Sequence, residues 1–173
     1  MAHEDEIEGL IHQFSDPEVE PAWRLDALLD LQHREDPRIT LAVLRVVSDA
    51  AQPVSVRLGG IRALRGRLRT TPHRVEIAQV LTRIVSDATA SDSELRLEAT
   101  VALGDCIDIP GVMAELCAVC AEPGELFDVR YAAFLSLQRG GPTPEAIDAL
   151  TRLSSDETWG LSAQGILIRW QSP

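Results

Sequence analysis

The stretch VRLGGIRAL at residues 56–64 decides the fold, because it returns four more times along a chain of 173 residues. The other copies are WRLDALLDL at 23–31, LRLEATVAL at 95–103, VRYAAFLSL at 129–137 and a degraded WGLSAQGIL at 159–167. The second position is Arg24, Arg57, Arg96 and Arg130, with Gly160 breaking the series. The fifth is always small (Ala27, Gly60, Ala99, Ala133, Ala163) and the ninth is always leucine (Leu31, Leu64, Leu103, Leu137, Leu167). Successive copies begin 33, 39, 34 and 30 residues apart. A repeat period of roughly 20–50 residues marks stacked supersecondary units, each too small to bury its apolar face alone.

Working outward, each copy follows a second amphipathic segment. Ile7, Leu10, Ile11 and Phe14 fall at i, i+3, i+4 and i+7, one apolar stripe at helical period. Counterparts lie at 39–47, 75–85, 112–120 and 146–153. Four of the five end in Ser-Asp (Ser15-Asp16, Ser48-Asp49, Ser86-Asp87, Ser155-Asp156), and the remaining one ends at Ala121-Glu122. Pro17, Pro21, Pro53 and Pro123 stop one helix and suit the first turn of the next. Between copies the breakers are Asp36-Pro37, Thr71-Pro72, Ile109-Pro110-Gly111 and Gly140-Gly141-Pro142, and the longest insertion falls at 88–93. The expected architecture is an all-α, single-domain α-solenoid of five antiparallel helix pairs, at about 3–36, 37–70, 74–107, 111–140 and 144–171.

The V-R-x-x-A-x-x-A-L core resembles the HEAT-like repeats of the bilin-lyase type, over nearly the whole chain. The resemblance implies a ladder in which the aspartate closing each first helix meets the arginine opening each second helix. Asp16, Asp49, Asp87 and Asp156 would join Arg24, Arg57, Arg96 and Arg130. Glu122 and Gly160 depart from that pattern, and Gly160 marks the fifth copy as a terminal cap. The same resemblance alone implies, as an alternative function, a bilin-lyase-like or chromoprotein maturation factor.

Composition narrows the function classes. Hydrophobic residues make up 45%, ordinary for a folded protein, while aromatics are only 4%, which suits helices packed through Ala and Gly. All 16 basic residues are arginine, a usage that points to a GC-rich bacterial genome. The net charge of −11 argues against a general nucleic-acid binder. Charge is uneven: residues 1–36 carry eleven acids and two arginines, residues 57–83 seven arginines against Glu76, and residues 84–173 fourteen acids and five arginines. The opening MAHEDEIEGL has no basic region and no long apolar run, so neither a signal peptide nor a membrane helix is expected. Three cysteines without a regular framework fit a reducing cytoplasm.

No motif names a reaction. Cys117 and Cys120 match C-x-x-C, but no second such pair exists and core packing is the reading adopted. His3, His12, His33 and His73 show no metal or nucleophile spacing, and Gly59-Gly60 lies inside a helix and makes no phosphate loop. On a helical wheel the fourth, eighth and eleventh template positions oppose the leucine, so they are expected to line a concave binding face. That face would include Asp26, Asp30, His33, Glu98, Asp105 and Arg139. A second candidate patch is Arg62, Arg65, Arg69 and Arg74, where cross-repeat ion pairing is favoured over phosphate binding. The functional expectation is a non-enzymatic interaction scaffold (an adaptor or an immunity-type inhibitor) without cofactor or metal, taking another protein with a basic surface. Nucleic-acid binding through the arginine-rich second copy is a further alternative.

Overall fold

The computed structural model describes residues 2–87 and 92–171, with side chains from Glu6 onward. The insertion at 88–93 therefore lies mostly outside the described residues, as does the His3 side chain. The protein is all-α: ten α-helices and no strand occur among the described residues. They are α1 (Ala2–Ser15), α2 (Pro21–Gln32), α3 (Pro37–Ser48), α4 (Val54–Arg67) and α5 (Arg74–Ser86), then α6 (Ser93–Leu103), α7 (Val112–Ala121), α8 (Phe127–Gly140), α9 (Pro144–Leu153) and α10 (Gly160–Gln171). No described helix is long and apolar enough to cross a membrane.

The helix boundaries follow from local chemistry. Pro21, Pro37 and Pro144 occupy first-turn positions, where a missing N–H costs nothing. Asp36, Asp92 and Thr143 cap α3, α6 and α9 by accepting hydrogen bonds from the N–H groups of Arg38, Leu95 and Ala146. Four of the five acids that close a first helix tie down the turn that follows. Asp16 accepts from the Glu18 N–H at 2.9 Å, Asp49 from Ala51 at 2.9 Å and Asp156 from Thr158 at 2.8 Å. Glu122 does the same with a longer arm, accepting from the Gly124 N–H at 3.1 Å. The repeated Ser-Asp is thus first of all a turn signal.

The chain forms two compact units, Met1–Val80 and Leu81–Pro173, divided inside α5. Within the first unit α1 packs on α2 and α3 on α4, while α1 also touches α3 and α2 touches α4. The second unit repeats this order: α7 packs on α8, α9 on α10, α7 on α9 and α6 on α8. Four of the ninth-position leucines (Leu31, Leu64, Leu103, Leu137) are fully buried, and each contributes about 1.5–3 kcal/mol of apolar burial. The fifth position is small for a steric reason. At Gly60 of α4 a methyl group would collide with the Val47 side chain of α3, so this helix pair closes only over glycine.

Candidate partner-binding surface

The second helices carry both the internal rungs and the outward faces. Arg24 is wholly buried and Arg130 nearly so. Each donates Nε to the carbonyl ten residues earlier, Phe14 at 2.7 Å and Cys120 at 3.0 Å, and Arg57 reaches Val47 in the same way at 3.0 Å. These carbonyls end a first helix, where acceptors lack helical partners and the helix dipole favours a cation. Arg96 departs: its Nε makes no hydrogen bond among the described residues. Nine positions separate Ser15 from Arg24, Ser48 from Arg57 and Ala121 from Arg130, whereas ten separate Ser86 from Arg96. The extra residue moves that arginine out of register with its carbonyl.

The outer ends of these arginines reach forward along the chain. Arg130 Nη2 donates to Asp156 Oδ2 at 2.9 Å, the direct rung that the resemblance implied. Arg24 instead donates to Gln52 Oε1 at 2.7 Å, and Gln52 Nε2 donates to Asp49 Oδ2 at 2.8 Å. That rung is relayed through a neutral amide. Arg96 pairs with Glu125, not with the Glu122 that closes α7. Burial pushes the Arg24 pKa down, with the Asp16 charge pushing back. Burial alone would raise Asp156, but the Arg130 hydrogen bond and the N–H groups of Trp159 and Thr158 outweigh it and hold the carboxyl below its ordinary value.

The outward residues differ from those the wheel places there. Asp26 and Asp30 on α2 and His33 at its C-cap are exposed at i, i+4 and i+7, as expected. In the later copies the eighth position is buried instead: Ala63, Ala102, Ser136 and Ile166. A wheel assumes one covered side, but α4 and α8 are each packed by their own first helix and by a neighbouring second helix. In α8 the exposed line therefore runs through the third and seventh positions, Tyr131 and Leu135, whereas in α4 the seventh, Arg62, is exposed and the third, Leu58, is buried. Glu98 on α6 and Asp105 in the 3-10 turn that follows it are half-buried, and Asp105 meets the exposed Arg139 of α8 at 3.3 Å. Of the basic set, Arg62, Arg65 and Arg69 are exposed and Arg74 is half-buried. Arg67, from the same run, works internally: its Nη2 donates to the carbonyls of Leu31 and Arg34 at 2.7 and 2.9 Å, capping the end of α2.

The shifted line creates a feature that the sequence reading missed. In the second unit Leu97 and Val101 of α6 face Tyr131, Ala132 and Leu135 of α8 across an open, chiefly apolar groove of about 680 Å³, with Asp128, Gln138 and Arg139 at its rim. A second hollow of about 480 Å³ shares Tyr131, Leu135 and Gln138 and continues to Ile166 and Arg169 of α10. Its apolar ridges stand at template positions three (Leu97, Tyr131) and seven (Val101, Leu135), a signal visible in the repeat alignment once those positions are taken as outward. Phe127, 58% exposed, extends the α8 ridge. It stacks on Tyr131 and on the buried Trp159, with ring centroids 6.0 and 5.2 Å apart, and Phe134 closes on Trp159 at 5.1 Å. Arg130 lies 5.7 Å from the Trp159 ring centroid, so the aromatic stack and the charged rung brace each other.

The three cysteines are buried, and desolvation pushes the Cys117 and Cys120 thiols up to about 11 and about 12. At neutral pH they are protonated and poorly nucleophilic. Among the described residues no group of three or more His, Cys, Asp or Glu side chains is arranged to hold a metal ion. The arrangement offers surface recognition: an apolar floor, a polar rim and internally braced walls. No protein-family model and no curated protein matches this chain.

Proposed function

We propose that the chain is a HEAT-like solenoid of five helix pairs acting as a non-enzymatic protein–protein interaction scaffold, an adaptor or inhibitor for a basic partner. One observation carries the reading: the open apolar groove between α6 and α8, set in a segment rich in carboxylates. A contiguous apolar surface rimmed by polar groups marks a docking site more often than a catalytic one. The excess of acids would speed association with a positively charged protein.

The test is affinity capture from a bacterial lysate with two baits, the native chain and a Leu135→Arg variant. A basic protein retained by the native bait and lost by the variant supports the scaffold. Equal retention by both would move the binding face to the α2 set of Asp26, Asp30 and His33, and retention of nothing by either would remove the scaffold reading.

A further inference from the structure

We propose that the occupant of the α6–α8 groove is an amphipathic helix of the partner, apolar along one edge and flanked by Lys or Arg, a deepening that rests on the scaffold reading above. Leu97 and Val101 form one ridge at i, i+4, and Tyr131 and Leu135 form another. Each ridge has a step of about 6 Å along its helix, since the rise is about 1.5 Å per residue. The matching template positions stand side by side, and Asp105 and Arg139 meet at the later end of both helices. Two such ridges leave a furrow into which the i, i+4 row of a third helix fits.

An extended peptide fits poorly. Its whole run of backbone N–H and C=O groups needs partners, and the groove walls are helices whose own backbone groups are already bonded, leaving only Asp128, the Tyr131 hydroxyl, Gln138 and Arg139 to offer polar atoms. A helix brings its backbone bonds with it.

The charges choose the flanks. From residue 81 onward the chain holds fourteen acids and six arginines. Four of those arginines are already tied to carboxylates: Arg96 to Glu125, Arg130 to Asp156, Arg139 to Asp105 and Arg152 to Asp148. Asp128 is exposed on the groove rim with no ion pair among the described residues. Phe127 and Tyr131 beside it present ring surface that attracts a cation. A second copy of this chain, itself at net −11, brings the same sign of charge and is disfavoured on that ground.

The experiment uses the purified full chain and three fluorescein-labelled peptides of about 18 residues, long enough to hold a helix. The first has a Leu stripe flanked by Lys and Arg, the second the same stripe flanked by Glu, and the third the first composition scrambled. Anisotropy titrations are run on the native chain, Val101→Arg, Leu135→Arg, Asp128→Asn and the double variant Asp26→Asn/Asp30→Asn, each checked for helix content and melting temperature. The basic helix should saturate, with the acidic and scrambled peptides about tenfold weaker or worse, and the groove variants should weaken it by about tenfold. Asp128→Asn should cost about threefold and reduce the salt dependence, while the α2 variant stays within about twofold. Leu135 is already exposed, so Leu135→Arg keeps the test valid if Val101→Arg does not fold.

Equal binding of the basic and scrambled peptides would overturn the inference, as would preference for the acidic one or equal damage from the α2 variant. So would a concentration-dependent dimer that Leu135→Arg abolishes, which would make a second copy the occupant. If no peptide binds but Leu135→Arg still loses a captured protein, the helix inference fails and the scaffold reading stands. If neither responds, both fail.

Discussion

Arg24 in the first unit and Arg130 in the second occupy the same template position and make the same bond to a carbonyl ten residues back, yet they end differently. Arg130 reaches the Asp156 carboxylate directly, whereas Arg24 ends on the Gln52 amide, which passes the contact to Asp49. The outward faces diverge in parallel. Helix α2 with its C-cap exposes Asp26, Asp30 and His33, while α8 exposes Phe127, Tyr131 and Leu135 beside the groove. The fifth and ninth positions, which face the core, keep their residue types throughout. Positions touching only a neighbour's turn or solvent vary, and those variations distinguish the two units.

The most severe test of this equivalence is the core leucine. Leu64→Ala and Leu103→Ala should each cost about 2–5 kcal/mol through lost burial and an unfilled cavity. Urea denaturation followed by circular dichroism measures both. A near-neutral shift in either would mean that the two units do not share one core plan.

The rungs should separate the units next. Gln52→Ala removes one acceptor from a buried guanidinium and should cost about 1–3 kcal/mol, nearly independent of mild acid. The Arg130–Asp156 rung should instead be acid-sensitive. The folded Asp156 pKa lies below its ordinary 3.8, so the rung's contribution is complete above that value and is lost as pH falls through the lower, folded value. Urea midpoints from pH 5 downward should fall less steeply in Asp156→Asn than in the native chain. Identical slopes would show that the rung carries no linked proton.

What was legible in the sequence follows from which contacts are local. The leucine, the small fifth residue and the Ser-Asp turn recur at fixed spacing because each serves a single helix pair, so the all-helical class was legible from them. Gln52 was invisible, since an amide between two turns has no period. The α6–α8 groove was not foreseen because the wheel gives each second helix one covered side, whereas packing by a neighbouring second helix covers position eight and, in α8, leaves Tyr131 and Leu135 at three and seven open. Within the basic run the stripe of Arg62, Arg65 and Arg69 is exposed, but nothing in the spacing tells that Arg67 beside it turns inward to the end of α2.

Two glycines of α4 sharpen the steric side of the comparison. Gly60→Ala should destabilise by about 1–3 kcal/mol, since the new methyl meets Val47. Gly66 has open space where its Cβ would lie, so Gly66→Ala should stabilise by up to about 1 kcal/mol through helix propensity. Opposite signs in one helix, read by thermal melting, would separate close packing from backbone preference. A gain at both would mean that α3 and α4 are not held as closely as Gly60 requires.

The smallest effect is expected at Arg139, and its smallness is informative. Arg139 meets Asp105 at 3.3 Å with its side chain about half exposed, and it also donates to Ser136 Oγ at 3.1 Å. An exposed pair of this kind contributes about 0–1 kcal/mol, because solvent screens the attraction and ordering a long side chain opposes it. Arg139→Gln should therefore change the denaturation midpoint barely at all. It nevertheless removes a cation from the groove rim and releases Asp105, making that end more acidic. A basic helix in the groove should then bind somewhat more tightly, with steeper salt dependence, while stability stays level. Such a split would mark Arg139 as a residue that tunes recognition, and a large loss of stability would return it to the scaffold.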